Sequence, residues 1–248
     1  MTQQNTSYQG SRIKLYLGST VLFISMMLSA LVFAPLVLLC AILPFSVRYK
    51  IAELWVRFVL WVARVFCGVR HEVEGLEHIK DIQAAIVLSK HQSAWETIAL
   101  RLILPTQTAL LKRSLLWLPV WGWALATLKP IAIDRKKQRA ALNTLLKKGK
   151  AYLSEGIWVV VFPEGTRTAP GQVKKFNAGG AILAEKSGYP VIPLAHNAGY
   201  CWPRYSFLKY PGTIKVKIGP AIESRGRKAA DINAEAAEWI AQAMKEIS

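Results

Sequence analysis

The sequence predicts an α/β protein, with a central, mostly parallel or mixed sheet of about seven strands covered by helices and an N-terminal membrane-embedded helical segment. Three observations predict it. Residues 15–47 carry no charged side chain. From about residue 70, short β-branched runs alternate with helical stretches, the pattern of strands joined through helices. No repeat, low-complexity linker or second core interrupts that alternation. The chain therefore divides into 1–69, a membrane-anchoring helical segment, and 70–248, a single globular domain.

The first element is the uncharged run. As one helix it is about 50 Å long, more than the roughly 30 Å of a hydrocarbon core. Two geometries fit: one tilted helix, or a hairpin that dips into one leaflet and bends near Pro35, where a backbone donor is missing. Arg12 and Lys14 precede the run, and Arg48 and Lys50 follow it. Basic residues at both ends mildly favour both ends on the cytoplasmic side, and so the hairpin. A cleaved signal peptide has a much shorter apolar core than this run. Residues 51–69 continue the apolar theme. Trp55, Phe58, Trp61, Val62 and Val65 can share a face, with Arg57 and Arg64 one heptad apart. The segment reads either as an interfacial amphipathic helix or as one packed on the core.

Candidate strands follow at 69–74, 84–89, 107–111, 130–133, 157–162, 190–195 and 213–218, and candidate helices at 93–104, 119–127, 136–155, 178–187 and 231–247. In 136–155, Leu142, Leu145, Leu146 and Leu153 recur at helical spacing and Gly156 supplies a stop. The early strands are continuous apolar runs, so helices should cover both sheet faces. Sites in such folds gather where strands end and loops begin.

Composition narrows the partners. Lys and Arg total 32 against 15 acids, a formal net charge of +17, which calls for an anionic partner: nucleic acid, an anionic bilayer or a phosphorylated small molecule. No helix-turn-helix, RNP-type or zinc motif is present, so nucleic acid is not expected. Hydrophobic residues make up 52% of the chain, which favours the bilayer. Cys40, Cys67 and Cys201 are odd in number and lack a CxxC, the pattern of buried thiols in a reducing compartment.

Several strand ends carry candidate chemistry. Directly after 84–89, beyond Lys90, comes His91-Gln92-Ser93-Ala94-Trp95-Glu96. His91 and Glu96 can meet if His91 lies just before a helix and Glu96 in its first turn. The carboxylate then accepts one ring N–H and leaves the other nitrogen as a base. The same letters form an S-x-x-E capping box, in which Glu96 bonds the backbone at Ser93 and His91 is an ordinary loop histidine. Both readings stand at this level. Phe162-Pro163-Glu164-Gly165-Thr166-Arg167 ends the run 157–162. Thr166 and Arg167 offer a hydroxyl and a planar fork suited to a phosphate, against the plainer reading of a turn with a surface arginine. Arg135, after 130–133, is a second phosphate ligand or the first turn of a basic helix. Lys112 and Arg113, and then Lys174 and Lys175, also follow strands or loops. Singly these are solvated charges; delivered to one rim they make an anion site. His71, His78 and His196 lack companions at metal-site spacing, so no metal is expected.

Together these segments resemble the 1-acyl-sn-glycerol-3-phosphate acyltransferase family, also called lysophosphatidate acyltransferases. The family pattern is an H-x4-D/E block, a strand ending in arginine, an F-P-E-G-T-R block and a later V-I-P-hydrophobic segment. Here these are His91 to Glu96, Ile131–Arg135, Phe162–Arg167 and Val191-Ile192-Pro193-Leu194. Order and spacing match across roughly residues 70–220. Asp is the family's commoner acid where this chain has Glu96, and Lys129-Pro130 stands where a glycine is often found.

The resemblance implies that 70–248 is an acyltransferase catalytic domain. His91 would take the proton from the sn-2 hydroxyl of 1-acyl-glycerol-3-phosphate, and Glu96 would stabilise the imidazolium. Arg167, Arg135 and Lys112 would hold the phosphate, with Glu164, Gly165 and Thr166 forming the rest of that binding loop. The donor would be acyl-CoA or acyl carrier protein, with no separate cofactor, and the partners membrane lipids and lysophosphatidate. The stretch 115–128, with Trp117, Trp121 and Trp123, is an acyl groove or core packing. The expected location is the inner or plasma membrane, with the catalytic domain on the cytoplasmic side. Alternatives are an acyltransferase for another lysolipid and a non-catalytic membrane lipid-binding protein.

Overall fold

The uncharged run folds as one continuous helix, α1 (Arg12–Leu39), which passes through Pro35 without reversing. The computed structural model describes residues 10–134 and 136–247, so Arg135 lies outside the described residues. The reversal comes later, at a short 3-10 turn, Cys40–Ile42. Leu43 is extended there (φ −81°, ψ 161°), as steric conflict with the following Pro44 ring demands. Pro44 then caps α2 (Phe45–Cys67). The hairpin expected near Pro35 is thus displaced. A proline inside a helix removes one hydrogen bond, which bends a helix but does not turn it back. The return leg is the charged helix α2, not the second half of the apolar run.

α1 packs on α2 along a narrow stripe that includes Leu15, Gly18, Ser19 and Leu22. Gly18 permits the close approach: a Cβ there would sit 2.2 Å from the Phe66 carbonyl oxygen. Trp55 Nε1 donates to Ser29 Oγ across the pair at 3.0 Å. Half of α1 is exposed, including Leu28, Leu31 and Leu39. Arg12–Ile42 is the stretch among the described residues that is long and apolar enough to cross a membrane. In α2 the buried stripe is Tyr49, Ala52, Val56, Val59 and Ala63 with Val62; Val56, Val59, Val62 and Ala63 join the main core, and Ala52 packs with Ala34 and Val37 of α1 in a smaller cluster. The face expected from Trp55 to Val65 is split, because Trp61 and Val65 are exposed. Tertiary packing rotates the core-facing stripe, and the opposite face keeps Arg57, Trp61, Arg64 and Phe66 outside.

All seven expected strands form, with bounds within two residues of expectation: β1 (Val69–Glu74), β2 (Ile86–Ser89), β3 (Gln107–Lys112), β4 (Ile131–Ile133), β5 (Trp158–Val161), β6 (Val191–His196) and β7 (Gly212–Ile218). They make one sheet in the order β1-β7-β6-β2-β5-β3-β4. The pairs are parallel except β6 with β7. That antiparallel pair is reached through a short helix, α7 (Ala198–Cys201), and needs no crossover. Every residue of β2 and β5 is buried, which requires cover on both faces. α5 (Gln138–Ser154), α6 (Gly179–Ser187) and α8 (Ala229–Ile247) pack as one layer, and α3 (Trp95–Ile103) joins α2, α1 and α4 (Trp121–Ala126) as another group. Because β6, β2, β5, β3 and β4 run parallel as neighbours, the loops that leave their C-terminal ends meet at one edge of the sheet.

Candidate active site

The site begins where β2 ends. Lys90, His91, Gln92 and Ser93 are buried, and Glu96, in the first turn of α3, is fully so. Glu96 Oε1 lies 2.7 Å from His91 Nδ1. The same oxygen accepts the backbone N–H of Gln92 at 3.0 Å and of Ser93 at 2.8 Å. The capping and dyad readings therefore hold together: one oxygen caps the helix and holds the imidazole. Only half of the capping box forms, since Ser93 Oγ accepts from Trp95 N rather than from Glu96 N.

Burial pushes the Glu96 carboxyl up, but the His196 and His91 rings and the Ser93 N–H outweigh it, holding Glu96 below the usual carboxylate range. An ionised carboxylate only accepts, so the His91 proton sits on Nδ1 and Nε2 is left as the basic nitrogen. The ring is held flat by Phe162, stacked at 4.2 Å between centroids and 20° between planes.

Phe162 opens the loop after β5. Gly165 takes a left-handed φ of 70°, and its N–H closes the turn on the Phe162 carbonyl at 3.0 Å. The turn sends Glu164 inward to full burial. Its Oε2 accepts the His91 N–H at 2.8 Å, and its Oε1 pairs with Lys90 Nζ. Lys90 Nζ also donates to Thr168 Oγ1 at 3.1 Å, and Thr168 N donates to the His91 carbonyl at 2.8 Å. The loop thus locks onto the backbone around His91.

The expected phosphate set is divided by this geometry. Glu164 has both oxygens engaged inside, and a buried carboxylate repels an anion. It holds His91 and leaves phosphate contact to others. Gly165 shapes the turn. Thr166 and Arg167 are half-buried beyond it, and Arg167 lines the same cavity as His91. The Arg167 carbonyl accepts from Arg204 Nη1. Lys112, exposed at the end of β3, lines that cavity too. Lys90, Thr168 and Arg204 were not singled out from the sequence. A lysine or threonine beside a motif carries no mark until the fold shows its partners.

The cavity is about 460 Å³ and mostly apolar, a size ordinary for ligand pockets. It runs from His91, Phe162 and Arg167 between α3, β3 and α4 to Met26, Phe33 and Val37 of α1. Of the stretch 115–128, Leu115, Trp121, Ala124, Leu125 and Leu128 line it, while Trp117 and Trp123 point outward and are exposed. The wall from α1 was not foreseen, because the uncharged run read only as an anchor. Among the described residues no three His, Cys, Asp or Glu side chains gather into a metal-binding group. Burial pushes the Cys201 thiol up to about 11, which keeps it an unreactive thiol at neutral pH.

Comparison with known proteins agrees with this architecture. The model of the Acyltransferase family matches residues 70–197. A 1-acyl-sn-glycerol-3-phosphate acyltransferase of Pseudomonas aeruginosa is 49% identical over 211 residues, covering 84% of this chain and 82% of that protein. The alpha form of the enzyme so named in Mus musculus is 31% identical over 182 residues, 72% of this chain and 64% of its own length. The crystal structure of the 1-acyl-sn-glycerophosphate (LPA) acyltransferase PlsC from Thermotoga maritima has the same fold, with a TM-score of 0.79 over 95% of this chain and 96% of that one at 23% identity. With the family model spanning about half of the chain, and a relative of this identity aligned along most of both proteins, the chain belongs to the acyltransferase family that includes the 1-acyl-sn-glycerol-3-phosphate acyltransferases.

Proposed function

We propose that the protein transfers a fatty acyl group from a thioester, acyl-CoA or acyl carrier protein, to the sn-2 hydroxyl of 1-acyl-glycerol-3-phosphate, releasing phosphatidate and a free thiol. The observation that carries this reading is one imidazole with its Nδ1 committed to a buried carboxylate, lining a mostly apolar cavity that an arginine also lines. His91 Nε2 takes the hydroxyl proton as the oxygen attacks the thioester carbonyl. The tetrahedral intermediate collapses, the carbon–sulfur bond breaks, and the proton on His91 passes to the leaving thiolate. Glu96 offsets the positive charge on the imidazolium between those steps.

The surroundings fit the two substrates. Arg167, with Lys112 at the rim and Arg135, two positions beyond β4 in the sequence, holds the acceptor's phosphate by charge-assisted hydrogen bonds. Glu164 and Lys90 keep His91 in place. The apolar cavity takes a fatty acyl chain, and its α1 wall lets that chain enter from lipid. α1 lies in the membrane with the sheet edge at its surface, and the exposed Arg57 and Arg64 of α2 meet lipid phosphates. The curated relatives' names, 1-acyl-sn-glycerol-3-phosphate acyltransferase, support the acceptor.

The test is thiol release from long-chain acyl-CoA and, separately, acyl carrier protein, in membranes holding wild type or His91→Ala. Release that needs lysophosphatidate and is lost in His91→Ala is expected. Release with a phosphate-free lysolipid alone would replace the acceptor, and an active His91→Ala would remove the base.

A further inference from the structure

We propose that His196 is a positioning residue for the acyl transfer, holding both the peptide that precedes His91 and the far side of the Glu96 carboxylate. The inference rests on the reading of His91 as the base. His196 ends β6, which pairs in parallel with β2, so its side chain arrives at the sheet edge where His91 leaves it. The ring is fully buried. Its Nε2 lies 2.8 Å from the Lys90 carbonyl, and its Nδ1 accepts the Ala198 N–H at 3.3 Å. These two bonds specify a neutral ring with the proton on Nε2.

The Lys90 carbonyl and the His91 N–H belong to one peptide unit. His196 holds its oxygen, and Glu164 Oε2 holds its nitrogen at 2.8 Å. A planar peptide gripped at both ends cannot rotate, so the backbone that launches the His91 side chain is set from two separate strands. β6 grips the same stretch once more, where the Leu194 carbonyl accepts the Lys90 N–H at 2.9 Å.

The second contact concerns Glu96. Among the described residues its hydrogen bonds fall on Oε1, whereas Oε2 is buried without a hydrogen-bond partner. His196 Nε2 lies 3.9 Å from Oε2. That N–H edge is the favourable dipole facing the second oxygen, and it keeps the carboxylate turned so that Oε1 stays on His91. A carboxylate rotated toward backbone donors alone would still cap α3 but would leave the imidazole free to tilt. Geometry errors of this kind act on the chemical step and leave substrate binding in place.

The experiment compares wild type, His196→Gln, His196→Leu and His91→Ala in membranes, measuring kcat, KM for both substrates and thermal unfolding. Gln offers an N–H near the position of Nε2, while Leu fills the space without one. The expected result is kcat down at least tenfold in His196→Leu, both KM values within twofold of wild type, and kcat recovered to within threefold in His196→Gln. A His196→Leu enzyme with undiminished kcat overturns the inference alone. Equal losses in Gln and Leu that follow lowered unfolding temperatures assign His196 to packing and also overturn it. An active His91→Ala overturns the reading of the base, and with it this inference.

Discussion

The loop from Lys90 to Glu96 and the helix α1 are both conspicuous in the sequence, yet they are held in opposite ways. The loop is buried and fastened by polar bonds from the loop after β5, from β6 and from α3. α1 is apolar, half exposed, and fastened by close packing at Gly18 and by hydrogen bonds from Trp55 Nε1 to Ser29 and from the Lys209 N–H to Ser19. The difference teaches where geometry has to be exact to a few tenths of an ångström. A base that must meet a hydroxyl needs several directional bonds. A helix that meets lipid needs an apolar surface and little orientation, because hydrophobic burial has no direction.

Changes in the loop should therefore act on rate, and changes in α1 on stability and membrane attachment. The largest effect is expected from Glu96→Gln, which keeps the size but loses the charge. kcat should fall about 100-fold or more, with a stability loss of only about 1 kcal/mol from the weakened cap. A fall in unfolding temperature with unchanged kcat would reduce Glu96 to a cap. Next is Arg167→Ala. KM for the phosphorylated acceptor should rise about tenfold or more, from the loss of one to two charge-assisted bonds, and more than KM for the acyl donor. Equal changes in both would remove the phosphate role.

Gly18→Val tests the other region. Its side chain would strike the Phe66 carbonyl, so unfolding in detergent should show a loss of about 1–3 kcal/mol. Turnover of a short-chain, water-soluble donor should persist. Failure of that turnover would mean that α1 also sets the geometry of the base, and the contrast would break. The smallest effect is a slope of stability with pH. Burial holds the His196 ring below its ordinary value of 6.5, with Glu96 partly opposing it. Below 6.5 the unfolded chain binds the extra proton first, so stability falls as pH drops through that window. Glu96, held below its ordinary 4.5, adds a loss of the same sign under that value. His196→Gln should flatten the first part of the slope and also reduce the second, because the His196 ring helps to hold Glu96 down.

The seven strands and the helices α3, α4, α5, α6 and α8 were legible in the sequence, because continuous apolar runs and turn residues repeat at spacings that only strands and helices satisfy; the short α7 was not. The sequence also determined that His91 and Glu96 stand at a strand-to-helix junction and that Arg167 follows a turn, since those depend on neighbours a few residues away. The remainder rests on contacts between segments far apart in the chain. The place of the reversal between α1 and α2, the antiparallel pairing of β6 with β7, and the stripe of α2 that enters the core follow from packing between distant segments. The inward turn of Glu164 onto Lys90 and His91, the α1 wall of the cavity, and the arrival of His196 beside Glu96 depend on parallel strands lying next to one another in the sheet. That order joins residues about 70 to 105 positions apart, and no local pattern carries it.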